Sequence, residues 1–151
     1  MLLFALIIGF VAGLRTMTAP AAIAWGAAYG TLSLDSSPLT FLGWRYTPWV
    51  ITVLAAAELV TDQLPTTPSR KVPIQFGARM VSGAVCGAAV GIDQGAPLPG
   101  LALGFVGAVI GTLGGAWARA RLAAAFGRDT PAALIEDAVA IIVAALVAQS
   151  L

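Results

Sequence analysis

Long apolar stretches alternate with short polar ones along the whole chain. Residues 1–14 are almost wholly apolar, Gly13-Leu14-Arg15-Thr16-Met17-Thr18-Ala19-Pro20 interrupts, and residues 21–32 are apolar again, with Trp25 and Tyr29. Neither half reaches the about 20 residues that a membrane-spanning helix needs. Pro20 removes a backbone donor and disfavours helix at Ala19. Residues 2–30 therefore read as one broken segment, either a long kinked span or two half-helices around a polar break. A break at membrane depth is tolerated where it is buried in protein or lines a wet cavity. Arg15, Thr16 and Thr18 would then face that cavity. A Pro-kinked helix with Arg15 paired or reaching the interface is the simpler alternative, and a single crossing is the preferred path for this stretch.

Residues 33–47 hold Ser, Asp, Pro and Gly and read as a loop, where Trp44 and Tyr46, with Trp49 just beyond, form an interfacial aromatic belt. Pro48 suits the first turn of an apolar helix over 48–64, which Pro65 stops. Residues 65–73, with Arg70 and Lys71, are a short basic loop. Three more apolar segments follow at about 74–92, 99–125 and 131–149. Thr130 is placed to cap the last of them, with Pro131 at its first helical position. The pattern predicts an all-α integral membrane protein. It would be a small polytopic helix bundle over residues 1–151, with four full spans or five segments depending on residues 2–30.

Composition strengthens this picture. The chain is 59% hydrophobic and 10% charged, where a soluble domain carries about 25% charged residues. Mean hydropathy is +0.92. The N-terminus lacks the basic residue that should precede the apolar run of a signal peptide; Arg15 follows it, so the segment is expected to be retained. A net charge of +1 without a basic run gives no argument for nucleic acid. One Cys and no His leave no disulfide and no Cys/His zinc site. Cys86, in an Ala/Gly-rich stretch, reads as a small buried hydrophobe. No nucleophile–base motif is present, so an enzyme is the least favoured class. No cofactor is implied.

Charge placement is more informative than total charge. Four of the seven acids, Glu58, Asp62, Glu136 and Asp137, lie inside or at the edge of apolar segments. An ionisable group at the centre of a membrane helix costs roughly 2.5–3.5 kcal/mol, and less toward the ends. Glu58 and Asp62 are four residues apart, so a helix puts them on one face. The basic loop at 65–73 and the segment 119–130 (Arg119, Arg121, Arg128) are separated by two spans, while the loop at 93–99 has no basic residue. The positive-inside rule places the two basic regions in the cytoplasm and the C-terminus outside. Glu58 then lies roughly 9 Å from the cytoplasmic end of its helix, and Glu136 and Arg79 roughly 7–8 Å in, at 1.5 Å per residue. Glu58, Asp62, Arg79, Glu136 and Asp137 can share one polar layer, which Arg15 could reach from the break. Glu136 is the expected inward member of its pair.

Glycines supply the packing. Gly83, Gly87 and Gly91 are spaced by four, as are Gly107, Gly111 and Gly115; Gly9 with Gly13 and Gly100 with Gly104 add more. This many small-xxx-small pairs predict close helix crossings, and some of them could serve a homo-oligomer instead. They do not form a phosphate loop, because no Gly-Lys-Ser/Thr occurs. A short echo relates Ala57-Glu58-Leu59-Val60-Thr61-Asp62 to Ala133-Leu134-Ile135-Glu136-Asp137-Ala138, as in inverted-repeat transporters, but it is brief.

Four stretches together resemble a family. They are Ala12-Gly13-Leu14-Arg15-Thr16, Ala57-Glu58-Leu59-Val60-Thr61-Asp62-Gln63-Leu64-Pro65, Ala78-Arg79-Met80-Val81-Ser82-Gly83-Ala84 and Glu136-Asp137. In this order they look like the bacterial membrane proteins of the domain-of-unknown-function 4126 family. The resemblance implies a small polytopic protein of the bacterial inner membrane with no established activity. In that family the acid before the proline is often followed by Lys; this chain has Gln63, so no cation is carried over to that position.

Two functions compete, and the first is the expected one. In the first, the layer binds a proton or small cation and the protein is transporter- or channel-like, because acids outnumber arginines there and close carboxylates hold protons. In the second, the ion pairs are structural, and the protein is a non-transporting scaffold or lipid-associated protein. A layer in which every acid meets an arginine favours the second. A solvated cavity reaching Glu58 favours the first.

Overall fold

The computed structural model describes residues 2–35, 37–62 and 72–151. They form six α-helices and one short 3-10 turn, with no strand among the described residues. The helices are α1 (Leu2–Leu14), α2 (Thr18–Tyr29), α3 (Thr47–Thr61), α4 (Pro73–Asp93), α5 (Pro97–Phe126) and α6 (Asp129–Ser150); the 3-10 turn is Thr40–Gly43. Each helix has a local reason to begin or end. Proline opens α3, α4 and α5 in the first turn, where its missing N–H has no intrahelical partner anyway. Gly30 (φ 77°) ends α2 and Gly127 (φ 67°) ends α5, both in the left-handed conformation that glycine adopts freely. The last helix starts at Asp129 and its cap position is Arg128, not the expected Thr130. Pro131 then still falls within the first turn, where a missing N–H is harmless. The expected stop at Pro65 and the basic loop with Arg70 and Lys71 lie mostly at positions 63–71, outside the described residues.

The anticipated glycines hold the centre together. Added at Gly9, a Cβ would strike the Gly104 backbone; at Gly83 it would meet the Gly104 carbonyl at 2.8 Å, and at Gly87 the Gly104 Cα at 2.7 Å. Gly104 thus marks the crossing of α1, α4 and α5. Further along, Gly91 meets Gly100, and Gly107 meets Leu6 and Phe10 of α1. These glycines are therefore spent within the chain.

The same contacts fix direction. Gly9 faces Gly104, while Gly13 faces Ala108 and Gly111, so α1 runs parallel to α5. Helices α4 and α5 are antiparallel, since Gly83 meets Ala108 and Gly91 meets Ala96. Arg119 binds Asp129 across the α5–α6 turn, so these helices are antiparallel as well. Arg15, just before α2, pairs with Asp137, and Thr31, just after it, bonds to Ala148, so α2 runs with α6. It follows that α1 and α2 run in opposite directions. Residues 2–30 fold back as a hairpin with its tip at Arg15–Met17, which corrects the preference for a single crossing.

Helices α5 and α6 are long and apolar enough to cross a membrane; α1 and α3 are apolar but shorter. Helix α3 is the peripheral one. It packs on α2 and the 3-10 turn and makes almost no contact with α6.

A charged site at the tip of a helical hairpin

Ending α1 and starting α2 within a few residues exposes orphan carbonyls and orphan N–H groups side by side. At Arg15–Met17 these groups lie inside the protein, so each needs a partner. The site is built from those partners.

Arg79 serves the carbonyl end. Rising from the second turn of α4, its guanidinium donates to the Gly13 carbonyl (2.8 Å) and the Leu14 carbonyl (2.5 Å). The Thr112 hydroxyl of α5 also donates to Gly13 O (3.2 Å), and Ser82 donates to Thr16 O at 2.6 Å. Glu58 serves the N–H end. Its two carboxylate oxygens accept from the backbone N–H of Thr16 and Met17, each at 2.7 Å. Electrostatics favours both placements, since a helix C-terminus attracts a cation and an N-terminus an anion.

Around this core the ion pairs close. Arg15 is fully buried and pairs with Asp62 of the α3 end and with Asp137 of α6. Arg79 also approaches Asp62 at 3.6 Å and Glu58 at 4.0 Å. Glu136 turns to the adjoining face of α6, where Arg119 lies 3.5 Å away. That arginine also grips the more exposed Asp129 through two bonds of 2.9 and 2.5 Å. Glu136 was the expected inward member of its pair; in fact Glu136 and Asp137 are both buried, and Asp137 is the one that pairs with Arg15.

All six sequence-derived residues thus lie in one layer. Arg15, Glu58, Asp62, Arg79 and Asp137 form its centre, and Glu136 sits at its margin through Arg119. Sequence reasoning assigned Arg119 only to orientation. Ser82 and Thr112 were missed, because a lone hydroxyl in an apolar helix gives no signal until a carbonyl is placed beside it. Four carboxylates, Glu58, Asp62, Glu136 and Asp137, face three guanidinium groups, Arg15, Arg79 and Arg119. Each of the four acids lies within 4.0 Å of an arginine. Among the described residues, no group of three or more Asp, Glu, Cys or His is arranged to hold a metal ion.

Fold and site define the class: an all-helical protein assembled around a broken hairpin whose tip is liganded by charged side chains. No family model, curated protein or solved structure matches the chain.

Proposed function

We propose that this is a polytopic integral membrane protein whose charged layer is a structural clasp, a non-transporting, lipid-associated scaffold without enzymatic activity. One observation carries the reading: the positions at the break where a transporter would hold its ions are taken by Arg79 and Glu58. In transporters with discontinuous helices, half-helix C-termini coordinate the cation and N-termini face the anionic group. Here tethered side chains fill both places, and each of the layer's four acids lies within 4.0 Å of an arginine.

Membrane residence is supported by the outer surface. Large apolar side chains such as Val53, Val60, Val81, Ile142 and Leu146 are each more than half exposed, which fits lipid contact, one of the roles that exposed apolar surface serves. Neither α1 nor α2 is long enough to span, so the hairpin would enter and leave the bilayer on one side with its tip buried in protein, the only setting in which such a tip is tolerated. By the positive-inside rule, the end with Arg119, Arg121 and Arg128 faces the cytoplasm, and both termini face outward. The likeness to the domain-of-unknown-function 4126 family accords with a bacterial inner-membrane location.

Among the described residues the layer's four carboxylates outnumber its three arginines, which supports one rival reading, in which the layer carries a proton or small cation. Proteoliposomes decide between them. Under an imposed pH gradient and with a panel of monovalent and divalent cations, wild type should show no flux above empty vesicles. Glu58→Gln should lower unfolding stability in detergent by about 1–3 kcal/mol, since one of two charge-assisted bonds to the hairpin is lost. Wild-type flux that disappears in a folded Glu58→Gln variant overturns the clasp reading and establishes transport.

A further inference from the structure

A pocket of about 260 Å³ opens at the C-terminal end of α2, the opposite end of that helix from the charged tip. Ala27 and Gly30, in the last turn and at the cap of α2, line one side. Leu32 and Leu34, both buried, belong to the stretch that leaves the helix. Asp35 and Trp44, both exposed, complete the part of the lining that carries chemistry. Hydrogen bonds set the shape: the Thr40 hydroxyl donates to the Leu34 carbonyl (2.8 Å), and the Ser33 N–H donates to the Asp93 carboxylate (2.9 Å). These bonds fix residues 32–35 against the 3-10 turn and the end of α4.

Three features of this lining favour positive charge. The Asp35 carboxylate has neither a hydrogen bond nor an ion pair among the described residues, and it is open to an incoming group. The C-terminus of α2 supplies the negative end of a helix dipole. Trp44 contributes an indole ring, whose face attracts a cation within about 6 Å. Among the described residues no basic side chain lines the pocket; Arg45, next in sequence to Trp44, lies over the Tyr46 ring instead (5.7 Å). A bare metal ion does not suit the site, since a hard cation such as calcium takes about 6–8 oxygen ligands and this lining has one carboxylate among apolar neighbours. Those neighbours suit the carbon atoms of an organic cation. The volume is below the roughly 300–1,000 Å³ of sites for drug-sized ligands, so only a small head fits.

We propose that this pocket binds a small organic ammonium group, its charge held by Asp35 and Trp44. Two sources share that chemistry: the amine head of a phospholipid and a free amine in water. The proposal stands on the pocket alone. The membrane-integral reading above bears only on the source, because it puts this end of α2 at the outward interface, where lipid heads are concentrated.

Fluorine NMR tests it, with the full chain labelled with fluorotryptophan and held in a maltoside detergent. Trp44→Phe removes, and so identifies, the Trp44 resonance among those of Trp25, Trp49 and Trp117. Choline and ethanolamine should each shift the Trp44 resonance saturably. Neohexanol, the uncharged carbon analogue of choline, should bind at least about fivefold more weakly, and Asp35→Asn should weaken choline by about the same factor, the upper range for an exposed ion pair. Unchanged Trp25, Trp49 and Trp117 resonances report that the variant is folded, and the neohexanol comparison needs no variant. No saturable shift with either amine, neohexanol as tight as choline, or choline binding unaltered in Asp35→Asn overturns the site. Nanodiscs of phosphatidylethanolamine against phosphatidylglycerol then separate the sources. A Trp44 resonance already at its amine-bound position in the first lipid, and no longer responsive to ethanolamine, assigns the lipid head; an unaltered ethanolamine titration in both assigns the free amine. Extraction of the protein by alkaline carbonate would overturn the membrane reading and the lipid source, and would leave the detergent titration as decisive as before.

Discussion

Arg79→Met should lower the unfolding free energy by about 3–5 kcal/mol, the range for removing one partner of a buried charge pair. Methionine fills a similar volume, so the loss is polar. Among the described residues, the Leu14 carbonyl would lose its side-chain donor, and Gly13 would keep the Thr112 hydroxyl. Asp62 would retain Arg15, but Glu58 would have no arginine within 4.0 Å among the described residues. Arg79→Lys should recover only part of the loss. An ammonium keeps the charge, yet it lacks the planar fork that reaches two carbonyls and a carboxylate at once. Thermal and denaturant unfolding in mild detergent measures both variants. An Arg79→Met protein within about 1 kcal/mol of wild type would show that the hairpin tip is held by something else, since lost buried partners usually exceed that value.

Gly104→Ala should be among the most damaging of the single-methyl additions. The new Cβ would collide with the Gly83 carbonyl and lie 2.8 Å from the Gly87 Cα. Both are backbone atoms, so no rotamer change relieves the clash; α4 and α5 must separate, and α1 with them through Gly9. Overpacking of this kind costs typically 1–3 kcal/mol, against which alanine returns about 1 kcal/mol of helix propensity. Gly104→Val should exceed the upper figure because its branches meet the same wall. Gly77→Ala and Gly114→Ala are the controls: among the described residues, an added Cβ at either position meets nothing within 4 Å. They should be neutral or stabilising by up to about 1 kcal/mol. The same unfolding measurements apply, and a Gly104→Ala protein as stable as Gly114→Ala would remove the close crossing from the account.

Much of this was legible beforehand, for identifiable reasons. The starts of α3, α4, α5 and α6 fall within two residues of the apolar boundaries, because Pro and Gly mark helix ends chemically. The charged layer was legible because ionised groups in apolar segments must find one another. The hairpin was not. Direction is read from basic residues, and residues 1–30 contain a single one, Arg15, which is buried at the tip and carries no topological signal. Glu58 was assigned to an ion or an arginine, yet its main partners are two backbone N–H groups. Peptide groups look alike in every sequence, so a carboxylate that binds them cannot be recognised before the position of the helix break is known.

The pairing of Arg15 also orders events during synthesis. One of its partners, Asp62, ends the third helix to be made, and the other, Asp137, belongs to the last. Until both exist, sinking the tip into hydrocarbon would bury a guanidinium without its counter-charges, at roughly 2.5–3.5 kcal/mol even on a lenient insertion scale. On the proposed membrane-integral reading, the hairpin would be made well before its two counter-charges and could not be buried in final form until both are present. If the proposed membrane-integral reading holds, residues 2–30 would therefore reach their final depth only after Asp137 has been made.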